Sequence, residues 1–187
     1  MIEIVPYREA WPAEFRAVGD RIREALGPLA LAIHHIGSTA VTGMPAKDVI
    51  DVQLTVASLE DLIEPQLNSI GYELTSFSVD HAPFGLQTVP REMEKRYYRA
   101  PSAARVHLHV RSVDRLNRRY ALICRDYLRS HPMAAAAYAE IKLQLAKRFA
   151  EDVDSYYDIK DPVFDIIMSG GFEWAEISDW SPPPTDA

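Results

Sequence analysis

The chain has 187 residues, 48% of them hydrophobic and 25% charged, and a formal net charge of −7. That size and composition suit one soluble globular domain with a proper core, and the acidic balance argues against binding nucleic acid through bulk electrostatics, although a local positive pocket remains allowed. Cys124 is the single cysteine, which excludes an intramolecular disulfide and a multi-cysteine metal site; with no signal-peptide core at Met1–Pro6 and no apolar run of roughly 20 residues, the expected location is the cytoplasm rather than a membrane.

After a strand-like lead at Ile2–Val5, the segment from about Arg8 to Leu26 places Trp11, Phe15, Val18, Ile22 and Leu26 at helical spacing, and Gly27-Pro28 ends it. Ile33–Ile36 and Val49–Val56 read as two central strands. In the second, Asp51, Gln53 and Thr55 face away from Val52, Leu54 and Val56. Ser58 and Asp61 form a candidate capping box for a helix carrying Leu59, Leu62, Ile63, Leu67 and Ile70, which Pro65 should bend or shorten. Tyr72–Phe77 has strand propensity, and Ser78–Pro90 reads as a loop anchored by Phe84.

Two alternating runs, Met93–Arg99 and Arg105–Arg111, flank Ala100–Ala104 and predict a hairpin. The second puts Val106, Leu108 and Val110 on one face and Arg105, His107, His109 and Arg111 on the other. Three helices follow: one from Ser112 or Asp114 to His131-Pro132, one from about Ala134 to Val153, and one starting at Asp161-Pro162 and ending at Gly170-Gly171. Residues 1–180 are expected to form a single domain and Ser181–Ala187 a disordered tail.

The chemistry concentrates between Ile33 and Leu54. A strand ends in Gly37-Ser38, a turn of small residues carries Lys47, and the next strand presents Asp51 and Gln53 on one face. Small residues admit close backbone approach to a ligand, turn N–H groups favour an anion, and an acid on the adjacent strand can hold a metal. An ordinary tight connection would look much the same, but an acid within an apolar strand is costly to bury without a partner. Hydrophobic-Gly-Ser, twelve intervening residues, then Asp-hydrophobic-Gln-hydrophobic resembles the signature of the nucleotidyltransferase superfamily.

Further residues resemble one family, GrpB. They are His35–Val41, Gly43, Ala46-Lys47, Ile50-Asp51, His107–Val110, Arg125–Arg129 and Tyr138–Lys142, with Pro6-Tyr7, Trp11 and Phe15 near the start. The resemblance implies an α/β (α+β) nucleotidyltransferase-like fold, a mixed sheet flanked by helices with a helical C-terminal part. It also implies a protein found alone in many bacteria and fused to dephospho-CoA kinase in some lineages. Lys142, Tyr156 and Lys160 look like family positions.

The departures from the superfamily are specific. Nucleotidyl transfer there uses acids to hold two divalent ions, yet Gln53 stands where the second carboxylate belongs, and the later strand offers His107 and His109 in place of a third acid. Residues two apart on a strand point the same way, so both imidazoles can converge with Asp51 on one ion, zinc, manganese or iron in preference to magnesium. A His–Asp hydrogen-bond network is the competing reading.

Gly37, Ser38, Thr39 and Lys47 are candidate phosphate contacts. Lys142 and Lys160, eighteen residues apart, would stand about 27 Å apart on one unbroken helix. They can join that group only if the helix breaks near Asp152–Ser155; otherwise they are ion-pair partners of nearby acids. Arg91, Arg96, Arg99, Arg105 and Arg111 make either a positive pocket or a charge-guarded edge, and Cys124 reads as packing. The expected ligand is a nucleotide or other phosphorylated small molecule, with a divalent metal (Mg, Mn or Zn) as candidate cofactor. The activity follows as a transferase-like enzyme with an incomplete acidic metal site, a non-catalytic binding module, or a His–His–Asp hydrolase.

Overall fold

The structure is a computed structural model and describes residues 1–87, 89–100 and 105–187. Five strands form one mixed sheet in the order β1-β2-β5-β4-β3, comprising β1 (Ala32–Ile36), β2 (Ile50–Val56), β3 (Glu73–Leu74), β4 (Arg96–Arg99) and β5 (Val106–Ser112). Only β2 and β5 run parallel; the other neighbours are antiparallel. The expected α/β architecture is therefore present, with helices on both faces of the sheet.

Strand alternation divides those faces by chemistry. Ile33, Val52, Leu54, Val56, Leu108, Val110 and Tyr98 are buried in one cluster with Trp11, Phe15, Ile22 and Leu26 of helix α1 (Trp11–Leu26). Burying this apolar contact stabilises the fold at about 25 cal/mol per Å² of area removed from water. The opposite face carries Asp51, Gln53, His107, His109 and Arg111 and looks toward α3 (Leu116–Ser130), α4 (Pro132–Arg148) and α5 (Val153–Ile177), which pack a second core around Tyr138, Ile123 and Met168.

Several boundaries differ from expectation. The N-terminal lead forms no strand: Val5 makes an isolated two-bond bridge with Ala46, and Ile2 N–H donates to the Ala150 carbonyl at 2.6 Å. Ser58 and Asp61 do bond each other, but they close a turn; helix α2 is just Glu64–Ser69, because Pro65 is tolerated only in a first turn. Phe84 is no anchor, being 76% exposed. The β4–β5 strands pair antiparallel, while their connection at 101–104 lies outside the described residues.

Helix α5 does not start at Asp161-Pro162 and does not stop at Gly170-Gly171. It is capped nine residues earlier, where the Asp152 carboxylate accepts from the Ser155 N–H, and it runs through Pro162 with the loss of one backbone bond. The two glycines serve packing instead: a β-carbon at Gly170 would lie 2.9 Å from the Tyr127 hydroxyl on α3. The tail expected to be disordered is also held. Strand β1 is a sheet edge whose outer groups need partners, and Thr185 and Asp186 bond Ile33 and His35 backbone groups at 2.9–3.0 Å, with Asp186 paired to buried Arg125 at 2.5 Å.

Candidate functional site

Between the polar face of the sheet and the C-terminal helices lies a cleft of about 830 Å³. Its sheet wall follows from register. Asp51 of β2 lies beside His107 of β5 and Gln53 beside His109, while β4 sets Arg99 opposite His107 and Tyr97 opposite His109.

Asp51 sits at the centre of that wall. A β-carbon at Gly37 would collide with its carboxylate, and Gly37 adopts φ +71°, so glycine is required there on two counts. Asp51 Oδ1 lies 3.2 Å from His107 Nδ1 and 3.7 Å from His109 Nε2. Desolvation pushes the Asp51 carboxyl up, but the hydrogen bonds and charge of the two histidines outweigh it and hold the group well below the usual carboxylate range. Burial pushes His109 down to about 4, against the opposing pull of Asp51, so its ring is neutral near pH 7.

Gln53 is fully buried and already engaged: its Oε1 accepts from Arg111 Nη1 at 2.6 Å. Arg111 also grips Asp80 through Nε and Nη2, at 2.8 and 3.0 Å. Asp80 is further bonded by Lys95 at 2.6 Å and by Asn117 at 3.0 Å. Burial raises the Asp80 carboxyl, but the charges of Arg111 and Lys95 prevail and keep it ionised. The sequence reading missed Asp80, Lys95 and Asn117. The alternation of Lys95, just before β4, with Tyr97 and Arg99 on it was the available signal for Lys95; a lone Asp in a loop gave none for Asp80.

Facing this wall are lysines with a different kind of partner. Lys142 is 3% exposed and donates to Ser38 Oγ and the Pro45 carbonyl, both at 2.8 Å. Burial, reinforced by the charge of Lys160, lowers it to about 7. Lys47 donates to the Tyr157 hydroxyl at 2.8 Å and lies over the rings of Tyr156 and Tyr157. Lys160 pairs with Asp161 at 2.6 Å. It reaches the same cleft as Lys142 because the chain breaks between α4 and α5, near the residues where the sequence permits a new cap.

Thr39 also borders the cleft, but its buried hydroxyl is spent on His35 and the Val49 carbonyl. Of the five hairpin arginines only Arg99 and Arg111 line the cleft; Arg105 pairs with Asp48 and Arg96 donates to the Asp61 carbonyl. Cys124 is buried and its thiol is pushed up to about 12 by that burial, which suits packing rather than reactivity.

A family profile described as "GrpB protein" matches residues 1–169. The chain belongs to the GrpB family. A crystal structure of conserved protein GrpB from Enterococcus faecalis superposes with a TM-score of 0.78 at 29% identity, covering 93% of this chain and 99% of that one. Dephospho-CoA kinase of Mycolicibacterium paratuberculosis is 33% identical over 198 residues, covering 97% of this GrpB chain but 48% of that protein. UPF0157 protein YqkA of Bacillus subtilis is 34% identical over 164 residues, covering 86% of this chain and 44% of YqkA. The chain thus spans about half the length of these two relatives. Cid1 poly(U) polymerase aligns at a TM-score of 0.49 and 16% identity, too slight a likeness to bear on the site.

For a metal, the GrpB site offers one set of donors: Asp51, His107 and His109 present ligand atoms within 4.8 Å of one another. The Asp51 distances are near the spacing of about 3.3 Å between donors on a tetrahedral ion with bonds of about 2 Å. Asp51 and His107 fit such an ion. His109 fits less well, because a metal-bound imidazole normally donates its other N–H to an acceptor, and its Nδ1 instead faces the Lys95 ammonium at 3.5 Å. Among the described residues a second ion has no ligand set, and Gln53 is held by a guanidinium.

Proposed function

We propose that this GrpB-family chain binds a nucleotide or another phosphorylated small molecule in the cleft, with its phosphates toward Ser38, Lys47, Lys142 and Lys160. The observation that carries this is electrostatic: seven lysine and arginine side chains but only four aspartates line the cleft, in a chain whose formal charge is −7. Such a concentration of positive charge between low-dielectric walls attracts and retains an anion. The volume falls within the ordinary range of small-molecule sites, roughly 300–1,000 Å³. Tyr157 and the edge of Tyr97 add aromatic surface for a flat group such as a base.

Asp51 and His107 are the candidates for proton transfer. With Nδ1 directed at Asp51, His107 leaves Nε2 available to the cleft, and its side chain is 40% exposed. A divalent metal at Asp51 and His107 would supply Lewis-acid polarisation of a phosphoryl oxygen. A second reading, a module that binds without transferring, is favoured by one observation: Gln53 is hydrogen-bonded to Arg111 where a second metal-binding carboxylate would be needed.

Thermal shift with nucleoside triphosphates, pyrophosphate and coenzyme A precursors tests the binding reading. Coenzyme A precursors belong among the probes because some relatives are named dephospho-CoA kinases. A midpoint rising with probe concentration supports the reading, and no shift with any of them would sink it. Binding without turnover over all metals and probes would favour the non-catalytic module.

A further inference from the structure

Lys95 is a cation of the sheet wall whose hydrogen bonding is incomplete by count. An ammonium has three donors, and among the described residues Lys95 Nζ finds two polar partners, Asp80 Oδ1 at 2.6 Å and His109 Nδ1 at 3.5 Å. Its side chain is 11% exposed and borders the cleft. Backbone pairing fixes the position: Lys95 N–H donates to the Ser78 carbonyl and Asp80 N–H to the Met93 carbonyl, which brings the Asp80 and Lys95 segments side by side.

The charge count around it is equally informative. Lys95 and Arg111 share the single carboxylate of Asp80, and Gln53 is neutral, so this group carries one positive charge more than it balances. That surplus lies next to His109, whose other nitrogen faces Asp51. With an ammonium proton directed at Nδ1, the neutral ring carries its own proton on Nε2, which lies 3.7 Å from Asp51 Oδ1. Asp51 Oδ1 thus has the two imidazoles as neighbours, and a cation already stands beside the place where an ion would sit. The disagreement with a two-ion site is thus chemical: its acids are replaced by an amide and imidazoles, and its charge by Lys95 and Arg111.

We propose that Lys95 is a phosphate-binding residue of this cleft, supplying beside Asp51 the positive charge that a divalent ion would otherwise bring, so that the phosphorylated ligand binds without any divalent ion. The inference rests on the proposed binding function and adds how the ligand's charge is met on the sheet wall. Anchored by Asp80, the ammonium directs its remaining N–H to a phosphate oxygen, a charge-assisted bond that needs no metal bridge. Lys142 and Lys47 meet the ligand from the opposite side.

The test is calorimetric titration of ATP and of pyrophosphate into the full chain, in excess EDTA and in excess magnesium or manganese. The expected result is binding in EDTA within about threefold of the affinity with metal, weakened about tenfold or more by Lys95→Met and by less in Lys95→Arg, as loss of a charged hydrogen bond requires. Thermal unfolding of both variants verifies that they fold, and if Lys95→Met does not, the metal comparison on the unaltered chain still decides. Binding that requires a divalent ion, or that a folded Lys95→Met leaves unchanged, overturns the role of Lys95 while leaving the binding function intact. No binding under any of these conditions overturns both.

Discussion

The two walls of the cleft hold their charges in opposite ways. On the sheet wall, Asp51 is bonded by His107 with the His109 ring 3.7 Å away, and Asp80 is bonded by Arg111, Lys95 and Asn117. On the helical wall, Lys142 and Lys47 have only neutral partners, a serine, a carbonyl and tyrosines, and among the described residues no carboxylate lies within 4.0 Å of either ammonium. A charge with a full set of partners contributes to the fold, whereas a buried cation without a counter-ion costs stability and gains from an incoming anion. The sheet wall, Lys95 apart, is therefore the frame, and the helical wall the place where most of a ligand's negative charge is answered.

Substitutions on the two walls should separate these roles. Arg111→Met, on the sheet wall, strips Gln53 and Asp80 of a buried partner and should cost roughly 3–5 kcal/mol in denaturant unfolding. A cost under about 1 kcal/mol would show that the wall is not the frame. The far face of the same sheet gives a pH signature of the fold alone. His35, stacked on Phe15 and buried, is lowered to about 4 by that burial from an unfolded value of 6.5. Its stabilisation is complete above pH 6.5 and is lost as pH falls toward 4, where the unfolded chain takes up a proton that the folded chain refuses. The full loss is roughly 3 kcal/mol, and a His35→Gln variant should flatten that slope in pH-dependent unfolding.

Lys142→Met should do the reverse of Arg111→Met. Because no carboxylate is orphaned, stability should change by no more than about 1 kcal/mol, while affinity for pyrophosphate falls tenfold or more. In the unaltered chain that affinity should decline as pH rises above about 7, by up to tenfold per unit, since the free amine must then take up a proton to bind an anion. A pH-independent affinity would move the anion away from Lys142.

Much of the frame was legible in the chain because it rests on local rules. Alternation put Asp51 with Gln53, and His107 with His109, on single faces, and the hydrophobic stripe of α1 declared its buried side. What was not legible depends on contacts distant in sequence. Gln53 read as a gap in a metal site, but it is the partner of Arg111, 58 residues away. Asp80 lay in a loop with no pattern to mark it. The tail's polar, proline-rich composition predicted disorder, and only the unpaired edge of β1 explains why it is held. Asp161-Pro162 gave a false helix start because the true cap, Asp152 with Ser155, had already begun α5.

The most direct test of this division is a crystal structure of the chain grown with pyrophosphate. The account predicts a phosphate group within hydrogen-bond distance of Lys142 Nζ and Ser38 Oγ, with the Arg111–Asp80–Gln53 bonds unchanged. Pyrophosphate bound away from Lys142, or bound by Arg111 after release of Asp80, would contradict it.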